Sequence, residues 1–239
     1  MKVIDKLING YKTLVFLDFE GSQYSQEIIA IGAIKCTLDA KNNIKDISKG
    51  FKVYCKINSK VGKIVTELTG ITDELLLEQG ISFKDAIRKF EKYVGKEDAK
   101  FIQYGNFDMH LLHNSQIFNN LDKDEFISRI YSNHIDLCQI LSRYIRKEKG
   151  NVISLLDACK IFNLNIEGDE HDPLSDSINL MNVYNAFIKE KGILRKEYLN
   201  LILNSSSSCT PIKKVLKKLT SDQKVTLKDL NTYIDEELK

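Results

Sequence analysis

"TLVFLDFEGS", residues 13–22, decides the fold. Leu14, Val15, Phe16, Leu17 and Phe19 make a nearly unbroken run of large apolar side chains, the pattern of a central strand covered on both faces. The run ends in two carboxylates, Asp18 and Glu20, one position apart. Side chains two apart in a strand share a side, so Asp18 and Glu20 project together, with Leu14 and Phe16 behind them. Paired carboxylates at the edge of a core repel each other and lose hydration. A divalent cation offsets both costs, which makes this strand end a candidate metal site.

Outward from that strand, "EIIAIGAIKCTLD" (27–39) and "ISKGFKVYCKI" (47–57) read as two more strands. The polar "AKNNIKD" between them is a turn, and the three together predict a meander. "SFKDAIRKFEKYVG" (82–95) reads as a helix capped by Ser82 and closed by Gly95. "AKFIQYG" (99–105) is a fourth strand, followed by the helical "NFDMHLLHNSQIF"; "HIDLC" (134–138) is a fifth. "SLLDACKIFN" (154–163) and "SDSINLMNVYNAFIKEKG" (175–192) read as helices. Strands first, then strands alternating with helices, predict a mixed sheet covered by helices. "NSSSSCTP" (204–211) reads as a Ser-rich linker, with short helices at "PIKKVLKKL" and "TLKDLNTYIDEEL" beyond it. The expected division is a domain over 1–194 and a basic helical extension over 195–239.

Composition narrows the function class. With 43% hydrophobic and 28% charged residues in 239, the chain is an ordinary globular protein and not a disordered one. No apolar run approaches the ~20 residues that span a bilayer. "MKVIDKLING" lacks a signal-peptide pattern. The five cysteines are scattered and never form CxxC, so buried or half-buried free thiols and a reducing cytoplasm are expected. Net charge is only +2; residues 195–239 hold nine Lys/Arg against six Asp/Glu, and the rest hold 26 against 27. What basic bias exists lies in the tail.

Two further stretches place carboxylates in unusual settings. "FIQYGNFDMHLL" puts Asp108 just past a strand, in the first turn of a helix, and "EGDEHDPLSDSINL" puts His171 five residues before Asp176. Pro173 pushes Asp172 toward extended backbone, so His171 falls on a loop leading into the Asp176 helix. Four converging carboxylates suit hard cations. Two such ions roughly 4 Å apart serve phosphoryl transfer, and a histidine beside them can take a proton near neutrality.

This set resembles the DEDD superfamily of 3′–5′ exonucleases, in the subgroup with a histidine five residues before the last aspartate. "LDFEG" matches the D-x-E motif, "LTGIT" (68–72) the segment that lines the terminal-nucleotide pocket, "YGNFDMHLL" the second motif, and "HDPLSD" the H-x-x-x-x-D motif. "SLLDAC" resembles the helix that precedes the last motif. The likeness runs in order from about residue 12 to 190. It implies an α/β, ribonuclease H-like fold: a five-stranded mixed sheet flanked by helices, with a small helical C-terminal extension.

It also implies that Asp18, Glu20, Asp108 and Asp176 hold two Mg²⁺ or Mn²⁺ ions, with Asp18 bridging. His171 is then the general base, and Gly21, Ser22, Leu68, Thr69 and Ile71 shape the site for the 3′-terminal nucleotide. The implied reaction removes nucleoside 5′-monophosphates from the 3′ end of single-stranded RNA or DNA. Pro173 departs from the family, which usually has a small residue there; a stiffer histidine loop follows.

Other residues read blandly. His110 and His113 are ordinary helix residues without a third ligand for zinc. Asp136 and Asp157 are structural, through hydrogen bonds or capping. Lys213, Lys214, Lys217 and Lys218 form one helix face, expected to be solvated, with phosphate tracking as the other role. Phe19, Tyr104 and Phe107 lie near the motifs and are expected to pack in the core, with base stacking as the other role. Alternative readings are a proofreading subunit that meets a DNA polymerase through 195–239, a binding module that has lost catalysis, and a hydrolase of small phosphoesters.

Overall fold

The computed structural model describes residues 2–147, 150–204 and 209–238. Its elements are α1 (Lys2–Ile8), β1 (Thr13–Gly21), β2 (Ile28–Leu38), β3 (Ile44–Ile47), β4 (Phe51–Tyr54), α2 (Lys63–Thr69), α3 (Asp73–Gln79), α4 (Phe83–Val94), β5 (Ala99–Gln103), α5 (Phe107–Phe118), α6 (Glu125–Asn133), β6 (His134–Asp136), α7 (Leu137–Leu141), α8 (Leu155–Ile161), α9 (Pro173–Lys189), α10 (Lys191–Asn204), α11 (Thr210–Thr220) and α12 (Leu227–Glu237). The strands form one mixed sheet in the order β3-β2-β1-β5-β6, with β4 also on β2. β1 runs antiparallel to β2 and parallel to β5, and β6 is parallel to β5. β1 is central and buried from Thr13 to Leu17, as its apolar run requires.

Alternation along β1 feeds two cores. Val15, Leu17 and Phe19 pack with Phe83, Ile87 and Phe90 of α4, Leu111 and Leu112 of α5, and Ile127 and Ile130 of α6. The other side faces α9, where the Phe16 and Tyr184 rings meet edge to face at 5.3 Å. Helices therefore cover both faces of the sheet.

The structure corrects the strand count from five to six. The single strand expected over 47–57 is two. β3 pairs with β2 through Cys36↔Ile47, and β4 through Ala33↔Phe51, so two residues of β2 between those pairs, 34 and 35, oppose three on the other side, 48–50. That extra residue is a bulge. Tyr93 of α4 fills the break, its hydroxyl accepting the Lys35 N–H at 2.9 Å and donating to the Lys49 carbonyl at 3.0 Å. Helix starts follow their caps: Ser82 takes the Asp85 N–H, and Ser154 with Asp157 closes a capping box. The last long helix begins at Pro173, two residues before the expected start, because Asp172 caps it and proline suits its first turn.

Backbone packing groups the described chain into two compact units, 1–140 with 154–189, and 141–153 with 190–239. The first holds the sheet. In the second, Tyr144 and Tyr198 meet edge to face at 5.4 Å. There α11 and α12 are joined by Lys214–Glu236 and Lys218–Asp229 ion pairs, and both ammonium groups lie 5.3 Å from the Tyr233 ring. The lysine face is thus half engaged instead of simply solvated. All four linker serines, 205–208, lie outside the described residues. Cys36, Cys55, Cys138 and Cys159 are buried and form no disulfide; Cys209 is exposed, against expectation, because it sits at the cap before α11. Among the described residues no helix is long and apolar enough to cross a membrane.

Candidate active site

The carboxylates converge at the C-terminal end of β1. Asp18 and Glu20 project from the strand itself. A register shift falls between Glu20 and Gly21, a bulge of the kind that re-aims side chains beside a site. Asp108 arrives from the first turn of α5 and is buried. Its Oδ1 accepts the backbone N–H of Phe19 at 2.8 Å, which fastens α5 to β1 between the two strand carboxylates. Asp176 arrives from the first turn of α9. Its Oδ2 accepts the His171 N–H at 3.2 Å.

One oxygen each of Glu20 and Asp176 and a ring nitrogen of His171 lie within 4.8 Å of one another. His171 adopts φ 63°, left-handed backbone that a non-glycine residue holds only under local constraint. Its Nε2 lies 3.9 Å from the Glu170 carboxylate.

Crowding of like charge dominates the electrostatics. Burial, then Asp108, Glu20 and Asp176, holds the Asp18 carboxyl well above its usual range. Burial and the charges of Asp176, Asp108 and Asp172 push Glu20 up to about 8, opposed by Lys52. Asp108 is also raised by burial, against the Phe19 N–H that favours its charged form. Burial raises Asp176, with His171 opposing. Oxygen donors that repel one another this strongly are a fit for hard divalent cations, which relieve the repulsion and take several carboxylates at once. Asp18, Glu20, Asp108 and Asp176 are the oxygen donors available for such ions.

The expected nucleotide-binding residues are placed unequally. "LTGIT" is a helix–turn–helix junction: α2 ends at Thr69, Gly70 closes it at φ 70°, and Thr72 caps α3 by accepting the Leu75 N–H. Leu68 is exposed at 54%, whereas Ile71 is core, packed with Ile29, Ala30, Val61 and Leu76. The Thr69 hydroxyl donates to the Val65 carbonyl and accepts the Ile71 N–H. Ser22 is buried, and its hydroxyl bonds Ser25 Oγ at 2.8 Å and accepts the Glu27 N–H at 3.2 Å. Gly21 leaves no room for a side chain, since a Cβ there would fall 2.4 Å from Leu111 Cδ2.

Of the three aromatics, Phe19 is buried and Tyr104 donates to the Ser154 carbonyl at 3.2 Å. Phe107 breaks with the core-packing expectation: it is 58% exposed beside Asp108, its ring 6.1 Å from that of His110. The first turn of α5 points it outward while Asp108 and Leu111 turn in. His110 Nε2 is engaged with Gln26 Oε1 at 2.7 Å. Asp136 accepts N–H groups from Gly105 and Gln139.

Two residues escaped sequence reasoning. Asp172 caps α9, its Oδ1 accepting the Ser175 N–H at 2.9 Å and the Leu174 N–H at 3.1 Å, while its Oδ2 accepts from Lys52 of β4. The signal for the cap was present, an aspartate immediately before proline. Nothing in the sequence pairs residue 52 with residue 172.

The exonuclease family model RNase_T matches residues 15–184, well over half of the chain. The chain belongs to that exonuclease family. The order of its sequence motifs resembles that of the DEDDh subgroup. Among solved structures, the nuclease domain of 3′hExo, a DEDDh family member bound to rAMP, aligns with this exonuclease at TM-score 0.60 and 18% identity, over 76% of this chain and 94% of that one. Cell-death related nuclease 4 aligns at TM-score 0.61 and 20% identity, over 75% and 64%. E. coli exonuclease I in complex with a dT13 oligonucleotide aligns at TM-score 0.60 and 16% identity, over 85% of this chain but 45% of its own. At these identities the likeness is one of fold. No curated protein sequence matches this exonuclease.

Proposed function

We propose that this exonuclease hydrolyses single-stranded nucleic acid, RNA or DNA, from the 3′ end and releases nucleoside 5′-monophosphates. The observation that carries the reading is the meeting of Glu20, Asp176 and His171 within 4.8 Å, beside the half-buried Asp18 and the buried Asp108. Asp18, Glu20, Asp108 and Asp176 are the residues assigned to hold two Mg²⁺ or Mn²⁺ ions. When bound, such ions neutralise charge that builds on the phosphodiester oxygens.

This chain's own residues do the rest. His171 accepts a proton from the attacking water, a role suited to an imidazole near neutrality. The water oxygen bonds to the terminal phosphorus as the bond to the 3′ oxygen of the preceding nucleotide breaks. Leu68 and Phe107, both exposed, supply apolar faces for the terminal bases. Gly21, Ser22, Thr69 and Ile71 act behind them by fixing the strand end and the α2–α3 turn.

The test is digestion of 5′-labelled single-stranded RNA and DNA of equal sequence with Mg²⁺, with Mn²⁺ and with EDTA. The expected result is an EDTA-sensitive ladder shortening from the 3′ end, lost in His171→Ala and Asp18→Ala. Undiminished turnover in either variant, or intact substrate in both metals, would overturn the reading.

A further inference from the structure

We propose that Lys52 is a positioning residue: its ion pair with Asp172 latches the loop that carries His171 onto the sheet beside Asp18 and Glu20. The inference rests on the reading of His171 as the base.

The register of the sheet builds the seat. Asp18 lies opposite Gly32, and Gly32 opposite Lys52, so the three form one row across β1, β2 and β4 on one side of the sheet. The next row on that side is Glu20, Ala30 and Tyr54. Both rows carry acids at one end, a cation or a ring at the other, and a residue with little or no side chain between. The start of α9 settles into this trough. A Cβ on Gly32 would lie 2.1 Å from the carbonyl of Pro173 and 2.4 Å from the N of Leu174, so the backbone of the first helical turn rests directly on β2.

Each end of the histidine loop is tied. Upstream, the buried Asn179 accepts the Glu167 N–H at 2.9 Å and donates to its carbonyl at 3.2 Å. Downstream, Asp172 uses one oxygen for the α9 cap and the other for Lys52. Lys52 in turn lies 5.2 Å from the centre of the Tyr54 ring, a neighbour in the adjacent row. His171, between the two ties, has its own N–H on Asp176.

The charge balance explains why a cation stands there. Asp172 adds a fifth carboxylate to a group that already repels itself, and unpaired it would be driven away together with the residue before it. Lys52 cancels that charge on the side away from Asp18. A direct role for Lys52 in gripping a substrate phosphate is the competing possibility, and kinetics separate the two.

The experiment compares the full chain with Lys52→Met, Lys52→Arg, Asp172→Asn and the Lys52→Met/Asp172→Asn double variant. Asn at 172 keeps the oxygen that caps α9, so the helix start survives the substitution. Steady-state hydrolysis of a short single-stranded oligonucleotide is measured alongside hydrogen exchange of the 167–176 amides. The latch predicts a kcat at least tenfold lower in Lys52→Met and in Asp172→Asn, with KM within twofold of the parent. It predicts recovery to within threefold in Lys52→Arg, a double variant no worse than either single one, and exchange at least tenfold faster in 167–176 alone.

A raised KM at constant kcat would assign Lys52 to the substrate and overturn the latch. So would losses that multiply in the double variant, or Lys52→Met with parental kcat and exchange. If the parent protein hydrolyses no oligonucleotide, the exonuclease reading fails, and the exchange result still decides the latch by itself.

Discussion

Asp108 does two jobs with one side chain, and substitutions separate them. Its carboxylate adds charge to the site while its Oδ1 satisfies the buried N–H of Phe19. Asn retains the acceptor and drops the charge; Ala drops both and leaves a buried donor unpaired, at a cost of about 1–3 kcal/mol. Asp108→Asn is therefore expected to melt near the parent temperature, or above it without metal, while nuclease turnover falls at least 100-fold. Asp108→Ala should lose turnover and also melt several degrees lower. Thermal melts beside oligonucleotide digestion check both, and an Asn variant as unstable as Ala would contradict the assignment. Glu20→Gln is expected to stabilise the metal-free protein at pH 8, since it removes a charge that its neighbours oppose.

Elements in this protein meet through gaps left for them, and Gly32 is the clearest. An added methyl there would press on the backbone of Pro173 and Leu174, which cannot rotate away as a side chain would. Gly32→Ala should destabilise by about 1–3 kcal/mol, an overpacking cost, and should move Asp176 and His171 together. Its signature is a fall in both melting temperature and turnover, in contrast with Lys52→Met, which is expected to spare the melting temperature. Capping gives a milder case. Ser154→Ala removes a capping box on α8 and is expected to cost about 1 kcal/mol in a denaturant melt, with turnover little changed.

At the scale of the whole molecule, the acidic cluster ties stability to pH and to metal. Glu20 titrates near 8 in the folded state against about 4.5 unfolded, so between those values the folded protein holds the extra proton. Stability is then higher at the lower end of that window and falls as pH rises through it. Asp18, Asp108 and Asp176 are shifted the same way and add to the slope. The chelated protein is expected to lose melting temperature steadily from pH 5 to pH 8, and millimolar Mn²⁺ should restore most of the loss at pH 8 by binding the charged form. Scanning calorimetry in EDTA and in Mn²⁺ across that range checks the sign; a melting temperature that climbs with pH in EDTA would refute it.

What the sequence determined by itself is what short stretches encode. The buried run of 13–19 made β1 central, the one-residue spacing set Asp18 and Glu20 on one side, and Ser82, Ser154 and Thr226 marked helix starts. The order of three acidic motifs, with LTGIT between the first two, pointed to the exonuclease family for the same reason, since each motif is local. The tertiary structure alone decided what depends on distant partners. A tyrosine hydroxyl from α4 broke the expected third strand in two, and the facing of α5 turned Phe107 outward. Strand register set Gly32 between Asp18 and Lys52, and the docking of α9 there joined Lys52 to Asp172, 120 residues away. Spacing along the chain carries no information about such pairs, because the free energy that selects them is gained only when the sheet and its helices pack together.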